Sequence, residues 1–235
     1  MTWAAPVVVF DLDDTLINFT GMAEALWRTL CDESAPELGL DGAALHAALM
    51  TERVAFWADP ELNRFGRHNL GAASREIVGR AFAALGAGSA EQAAALAQRY
   101  SDRRHDLVHL YEETIATIET LRERGHRLAM ITNGGAESQR AKIVRFDLAK
   151  HFDYILVEGE FGHGKPDERV YRHVLEQLGV EATVAMMVGD DLERDVAGPR
   201  KVGMRGVWVD RAGAGLPPGC AILPDRIIGS LADLL

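Results

Sequence analysis

Five short apolar runs constrain this chain more than any other feature of its sequence. Val7-Val8-Val9-Phe10, Leu128-Ala129-Met130-Ile131, Tyr154-Ile155-Leu156-Val157, Val184-Ala185-Met186-Met187-Val188 and Val207-Trp208-Val209 carry no polar residue on either alternating face. A strand with one wet face alternates apolar with polar, so runs of this kind predict strands covered on both sides, as in a parallel sheet. Helical patterns stand between them: Ile115, Ile118 and Leu121 before Gly125, and Val170, Val174, Leu175 and Leu178 before Gly179. A glycine just past the last periodic residue is a helix stop, because it takes the left-handed backbone of the cap without strain. The alternation predicts an α/β fold: an open parallel sheet with right-handed crossovers and helices on both faces. Arg226-Ile227-Ile228 is read as a further edge strand.

The first run ends at Phe10 and the second begins near Leu128, far more chain than one crossover helix needs. The excess is helical in pattern. Met22 to Leu30, Ala44 to Phe56 after Asp41, Ile77 to Leu85, and Ser89 to Tyr100 all carry helical spacing, and Ser89 with Gln92 three residues on is a capping box. Gly86-Ala87-Gly88 is read as the turn before that last helix. Residues 1–19 and 106–235 are therefore expected to form the α/β core, and 20–105 a small inserted all-helical domain. With 235 residues, 48% of them hydrophobic, the chain has material for both.

The same composition excludes several classes of function. Lys plus Arg number 25 against 35 Asp plus Glu, a net charge of −10, so the surface repels nucleic acid and anionic membrane and neither is expected as a partner. No run approaches the roughly 18 apolar residues of a membrane span, and the N-terminus has neither a basic leader nor a cleavage site. Cys31 and Cys220 fit no metal-ligand spacing and no disulfide framework. A soluble, cytoplasmic protein is expected, of an oligomeric state that the sequence leaves open.

The chemistry collects where strands end. Asp11-Leu12-Asp13-Asp14-Thr15 follows the first strand, and in extended chain Asp11 and Asp13 point to one side. Thr132-Asn133-Gly134-Gly135 follows the second, offering a hydroxyl, an amide and backbone N–H donors. Gly189-Asp190-Asp191 follows the fourth, with Asp195 a helical turn further on. Ligands of open α/β sheets bind at the carboxyl ends of strands, so Asp11, Asp13, Asp190, Asp191 and Asp195 are expected near one another. Lys165 stands just before a helix that Asp167 is placed to cap. Clustered carboxylates in a crevice repel one another unless protons or a cation intervene, and oxygen-only ligands suit a hard cation, Mg²⁺ first. A metal, a lysine and a hydroxyl beside a carboxylate suit phosphoryl transfer.

Asp11-Leu12-Asp13-Asp14-Thr15, Thr132-Asn133, Lys165-Pro166 and Gly189-Asp190-Asp191-Leu192-Glu193-Arg194-Asp195 resemble, in order, the motifs of the haloacid dehalogenase superfamily. The likeness spans nearly the whole chain, since that family carries a helical cap inserted into a Rossmann-like core after its first motif. It implies that Asp11 is a nucleophile forming an aspartyl-phosphate and that Asp13 is general acid and base, with its backbone carbonyl on the metal. Thr132 and Asn133, with Gly134, would hold phosphoryl oxygens. Lys165 would neutralise nucleophile and phosphate, and Asp11 and Asp190 would be metal ligands. Asp191 stands where the family often has a small hydroxyl residue, which leaves open how Asp191 and Asp195 divide the metal shell. Members that cleave carbon–halogen bonds lack an Asp two residues after the nucleophile, because a halide needs no proton. Asp13 therefore points to a phosphatase acting on a small phosphorylated metabolite, a sugar phosphate, nucleotide or phosphoglycolate. A phosphomutase shares the residue pair, and a receiver-type signalling module shares the residue types but is shorter and has no cap.

Outside these motifs, Asn18 at the hinge and Arg64, in a stretch Arg64-Phe65-Gly66-Arg67-His68-Asn69 read as a loop, are candidates to meet the leaving group. His105 and His109, four apart, are read as a surface pair, and Trp27, Phe56 and Trp57 as core of the inserted domain.

Overall fold

The computed structural model describes residues 5–235, which divide into two compact units. One runs to Asn18 and resumes over Leu110–Leu235; the other is Phe19–His109.

The first unit is an α/β fold around a six-stranded parallel sheet. Its strands are β1 (Val7–Phe10), β4 (Arg127–Thr132), β5 (Tyr154–Val157), β6 (Ala185–Gly189), β7 (Arg205–Val209) and β8 (Arg226–Ile228), in the order β5-β4-β1-β6-β7-β8. Two short strands, β2 (Ile17–Asn18) and β3 (His109–Leu110), lie where the chain passes between units. Every residue of β1 is buried, as its two-sided apolar run requires. Val7 and Val9 pack with Val170, Val174 and Leu178, while Phe10 meets the Phe152 ring edge-on, centroids 6.3 Å apart. Each such side chain contributes roughly 1.5–3 kcal/mol by leaving water. Val184 falls in a short 3₁₀ turn, Ala182–Val184, so β6 begins one residue later than its apolar run suggests.

Helices of this unit are α6 (Thr114–Glu123), α7 (Ala136–Arg145), α8 (Glu158–Phe161), α9 (Glu168–Leu178) and α10 (Gly198–Lys201). Asp167 caps α9 by accepting from the Arg169 N–H at 3.0 Å, and Gly179 ends it in the left-handed conformation at φ +61°. α7 has no counterpart in the sequence reading. Its buried residues are Gln139 and Ile143, so it shows no apolar stripe.

The second unit holds α1 (Ala23–Leu38), α2 (Gly42–Ala58), α3 (Pro60–His68), α4 (Leu70–Leu85) and α5 (Ala90–Leu107). Trp27, Leu30, Leu45, Leu49, Phe56 and Phe82 form its core, and Trp27 stacks on Tyr100 with centroids 3.8 Å apart. The capping box of Ser89 and Gln92 is formed. Arg64 corrects the sequence reading: it lies on α3, not in a loop. Asp59 caps that helix, accepting from the Glu61 and Leu62 N–H groups at 2.9 and 3.0 Å, with Pro60 at its first position. Gly66 fits within it because a Cβ would come within 2.8 Å of the Phe56 ring and 2.9 Å of Trp57. His105 and His109 do not share a helix face, since α5 ends at Leu107.

Candidate active site

Strand order and register set the site. β1 lies between β4 and β6, so consecutive connections leave it in opposite directions, the switch point at which open sheets bind ligands. Phe10 pairs with Met130 on one side and Val188 on the other, which aligns the carboxyl ends of all three strands. Asp11 continues the ladder, its N–H donating to the Val188 carbonyl at 2.9 Å. Leu12 is fully buried, which turns its neighbours Asp11 and Asp13 to the opposite side. The chain then reverses: Asp14 takes φ +60°, its N–H donates to the Ile17 carbonyl at 2.7 Å, and the Leu16 N–H donates to the Leu12 carbonyl at 2.9 Å.

Gly189 ends β6 because a Cβ there would overlap the Asp195 carboxyl group. Asp190 follows, held by the Trp208 indole N–H on its carbonyl at 2.8 Å and by the Thr15 hydroxyl on its carboxylate at 3.3 Å. A single π-helical turn, Leu192–Ala197, then brings Asp195 back, with its carboxylate accepting from the Asp191 N–H at 3.1 Å. Lys165 lies between these strand ends. Its Nζ donates to Asp11 Oδ1 and to Asp195 Oδ1, both at 2.7 Å, and only 3% of the residue is exposed. One carboxylate oxygen from each of Asp11, Asp190 and Asp195 lies within 4.8 Å of the other two.

Three carboxylates share one ammonium here, so negative charge is left over in a buried place. Burial pushes the Asp11 carboxyl up to about 7, with Lys165 opposing and Asp195 adding to the rise. Burial and the neighbouring Asp11 and Asp195 push Asp190 up to about 9. For Lys165, burial works against the ammonium, but Asp11 and Asp195 outweigh it and hold its pKa above the ordinary lysine value. The donor set is all carboxylate oxygen and short of positive charge, which fits a hard divalent cation.

A stability measurement follows from these shifts. A carboxyl whose folded pKa is raised binds protons more tightly folded than unfolded, so its contribution is full below about pH 4 and lost as pH rises through 7 and 9. The slope is about 1.4 kcal/mol per pH unit for each such proton. The melting temperature in chelator is therefore expected to fall between pH 5 and 9. A divalent cation should offset the fall increasingly as pH rises, and Asp190→Asn should flatten it. A fall in chelator equally steep in Asp190→Asn would contradict the assignment.

The structure brings the expected acidic residues together unevenly. Asp13 stands outside the triad, its carboxylate bound by Lys142 Nζ at 2.7 and 2.8 Å and by Gln139 Nε2 at 3.0 Å. Asp191, expected in the metal shell, turns its carboxylate onto the Glu193 and Arg194 N–H groups at 3.0 and 2.9 Å, where it caps the π-helical turn. Asn133, expected to hold phosphate, exchanges two hydrogen bonds with the backbone of Lys165, each 2.7 Å, so its amide positions the lysine. Gly134 gives its N–H to Glu158 Oε2 at 2.9 Å, not to the site. Thr132 ends β4, is buried, and accepts a hydrogen bond from Gln139 Nε2. Asn18 ends β2 in the first unit, and Arg64 belongs to the helical unit. Gln139, Lys142 and Glu158 have no counterpart in the sequence reading; the only sequence trace of the first two is their three-residue spacing after Gly134-Gly135.

Comparison with known proteins bears on this arrangement. Residues 5–203 match the family described as haloacid dehalogenase-like hydrolase. A phosphoserine phosphatase of Thermus thermophilus is 39% identical over 184 residues, covering 78% of this chain and 67% of that protein. An N-acylneuraminate-9-phosphatase of Rattus norvegicus is 28% identical over 246 residues, covering 97% and 91%. Among solved structures, a 2-haloacid dehalogenase of Pseudomonas syringae superposes with a TM-score of 0.63 at 30% identity, over 97% of this chain and 95% of that one. The magnesium-bound HAD-hydrolase YfnB of Bacillus subtilis superposes with a TM-score of 0.73 at 23% identity, over 98% and 97%, a likeness of fold.

Proposed function

The chain belongs to the haloacid dehalogenase-like hydrolase family, and on that premise we propose that it hydrolyses a small phosphomonoester through a phosphoryl group carried on Asp11. The observation that carries the proposal is a pair of carboxylates two residues apart: Asp11 held by Lys165, and Asp13 held separately by Lys142. Cleaving a phosphate ester needs a nucleophile and also a proton for the departing alcohol, whereas a halide departs without one. Asp13 therefore favours an ester over a carbon–halogen bond, and the phosphatase names of the two curated relatives support the same choice.

In the first step an oxygen of the Asp11 carboxylate attacks phosphorus and the bond to the ester oxygen breaks. That bond's electron pair stays on the ester oxygen, which takes a proton from Asp13. In the second, water attacks the same phosphorus, Asp13 takes back a proton from it, and the bond to Asp11 breaks, releasing inorganic phosphate. Lys165, touching Asp11 throughout, offsets charge on the nucleophile, and Thr132 donates to a phosphoryl oxygen. Asp11, Asp190 and Asp195 would hold the divalent ion, and magnesium is the one we propose from the oxygen-only set. When bound it supplies the positive charge that lets a dianion enter.

The proposal is tested by phosphate release from a panel of sugar phosphates, phosphoamino acids and nucleoside monophosphates with Mg²⁺, beside chloride release from a 2-chloroacid. Phosphate from at least one ester and no chloride is expected. Chloride without phosphate would overturn the reading. Thr132→Ala should raise the barrier by about 3 kcal/mol, as loss of one oxyanion donor does, and an unchanged rate would remove Thr132 from the site.

A further inference from the structure

Asp13 does not stand alone. Gln139 and Lys142 sit three residues apart on one face of α7, and both reach it. Lys142 Nζ lies 2.7 and 2.8 Å from the two Asp13 oxygens and donates to Gln139 Oε1 at 2.7 Å. Gln139 Nε2 donates to Asp13 Oδ2 at 3.0 Å and also to Thr132 Oγ1. The group is well enclosed: Gln139 is 2% exposed, and the side chains of Lys142 and Asp13 are 12% and 21% exposed.

The chemistry of these partners leaves one arrangement. An ammonium has only donors, so the amide must turn its oxygen to Lys142, which sends both amide hydrogens toward Asp13 and Thr132. Thr132 Oγ1 then accepts, which leaves its own hydrogen for a phosphoryl oxygen. A carboxyl group held at both oxygens keeps one rotamer, whether it is about to give a proton or has just given one. We infer that Lys142 and Gln139 are positioning residues that join Asp13 to Thr132, so that the proton donor for the leaving oxygen and the donor for the phosphoryl group are aligned by one side-chain chain. The inference rests on the phosphatase reading and assigns to α7 a part in choosing substrates by their leaving group.

The test compares kcat/KM, which reports formation of the phosphoryl-enzyme, for an alkyl phosphate and for p-nitrophenyl phosphate, whose leaving group needs little help from a proton. Lys142→Met keeps an unbranched side chain, one atom shorter, and removes its charge. It should lower kcat/KM about 100-fold for the alkyl ester, the usual penalty for a displaced catalytic group, and less than about 10-fold for the aryl ester. Lys142→Arg, retaining donors, should recover most of the alkyl activity. Gln139→Leu should make the Thr132→Ala penalty smaller than it is in the wild type, because the two act together. Equal losses for both esters, or none, would overturn the inference while leaving the phosphatase reading intact; a wild type inert toward both esters would count against that reading instead. A crystal structure of Lys142→Met decides the inference in either case: a turned Gln139 amide and a shifted Asp13 carboxylate support it, and both groups in place overturn it.

Discussion

Asp11→Asn is expected to leave a folded protein with no measurable phosphate release. An amide oxygen is a poor nucleophile, and among the described residues no other carboxylate in contact with Lys165 stands at the end of β1. Loss of a nucleophile costs on the order of 10⁴-fold or more in turnover. Stability should move the other way. Asp11 is buried and its carboxyl is pushed up to about 7, so the wild-type fold carries a charge it would shed. The amide removes that repulsion, and the melting temperature of the metal-free variant at pH 8 should equal or exceed that of the wild type. Substantial residual turnover would place the nucleophile elsewhere.

Lys165→Met should be damaging in both respects. The ammonium touches Asp11 and Asp195 at 2.7 Å in a nearly closed environment, and removing one partner of a buried ionic cluster leaves the others uncompensated. Breaking such a cluster costs about 3–5 kcal/mol of stability. Turnover should fall with it, since the nucleophile and the incoming dianion lose the charge that offsets them. The stability loss carries a signature that a packing defect lacks. Without the ammonium the carboxylates gain protons more readily, so the deficit should shrink as pH falls toward 5 and grow toward 9. Thermal melts across that range check it, and a deficit independent of pH would point to packing alone.

What the sequence discloses here follows from the range of the interactions involved. β1, β4 and β6 were legible because strands buried on both faces must be apolar on both, and the spacing of Asp11 and Asp13 follows from the two-residue period of extended chain. The α3 start has a local signal too: Asp59 followed by Pro60 is a cap and first-turn pair, which outweighs the glycine at position 66. Asp191 likewise precedes Leu192-Glu193-Arg194 and reads as a cap as readily as a ligand. By contrast, Asn133 depends on the Lys165 backbone 32 residues on, and Gly134 on Glu158 24 residues on, contacts no local pattern announces. α7 was hidden for a different reason. A helix whose buried residues are Gln139 and Ile143, with a half-buried Lys142 beside them, offers no hydrophobic period, and Gln139 and Lys142 are the residues it turns to Asp13.

The carboxylates of Asp11, Asp190 and Asp195 are expected to accept a phosphate dianion only after a divalent cation has joined Lys165 among them. Phosphate release from the best ester of the panel, measured on protein stripped with chelator and then titrated with Mg²⁺, tests it most directly. A rate at background in chelator that rises saturably with added Mg²⁺ is expected, with no such rise in Asp190→Asn. An undiminished rate in chelator would contradict it.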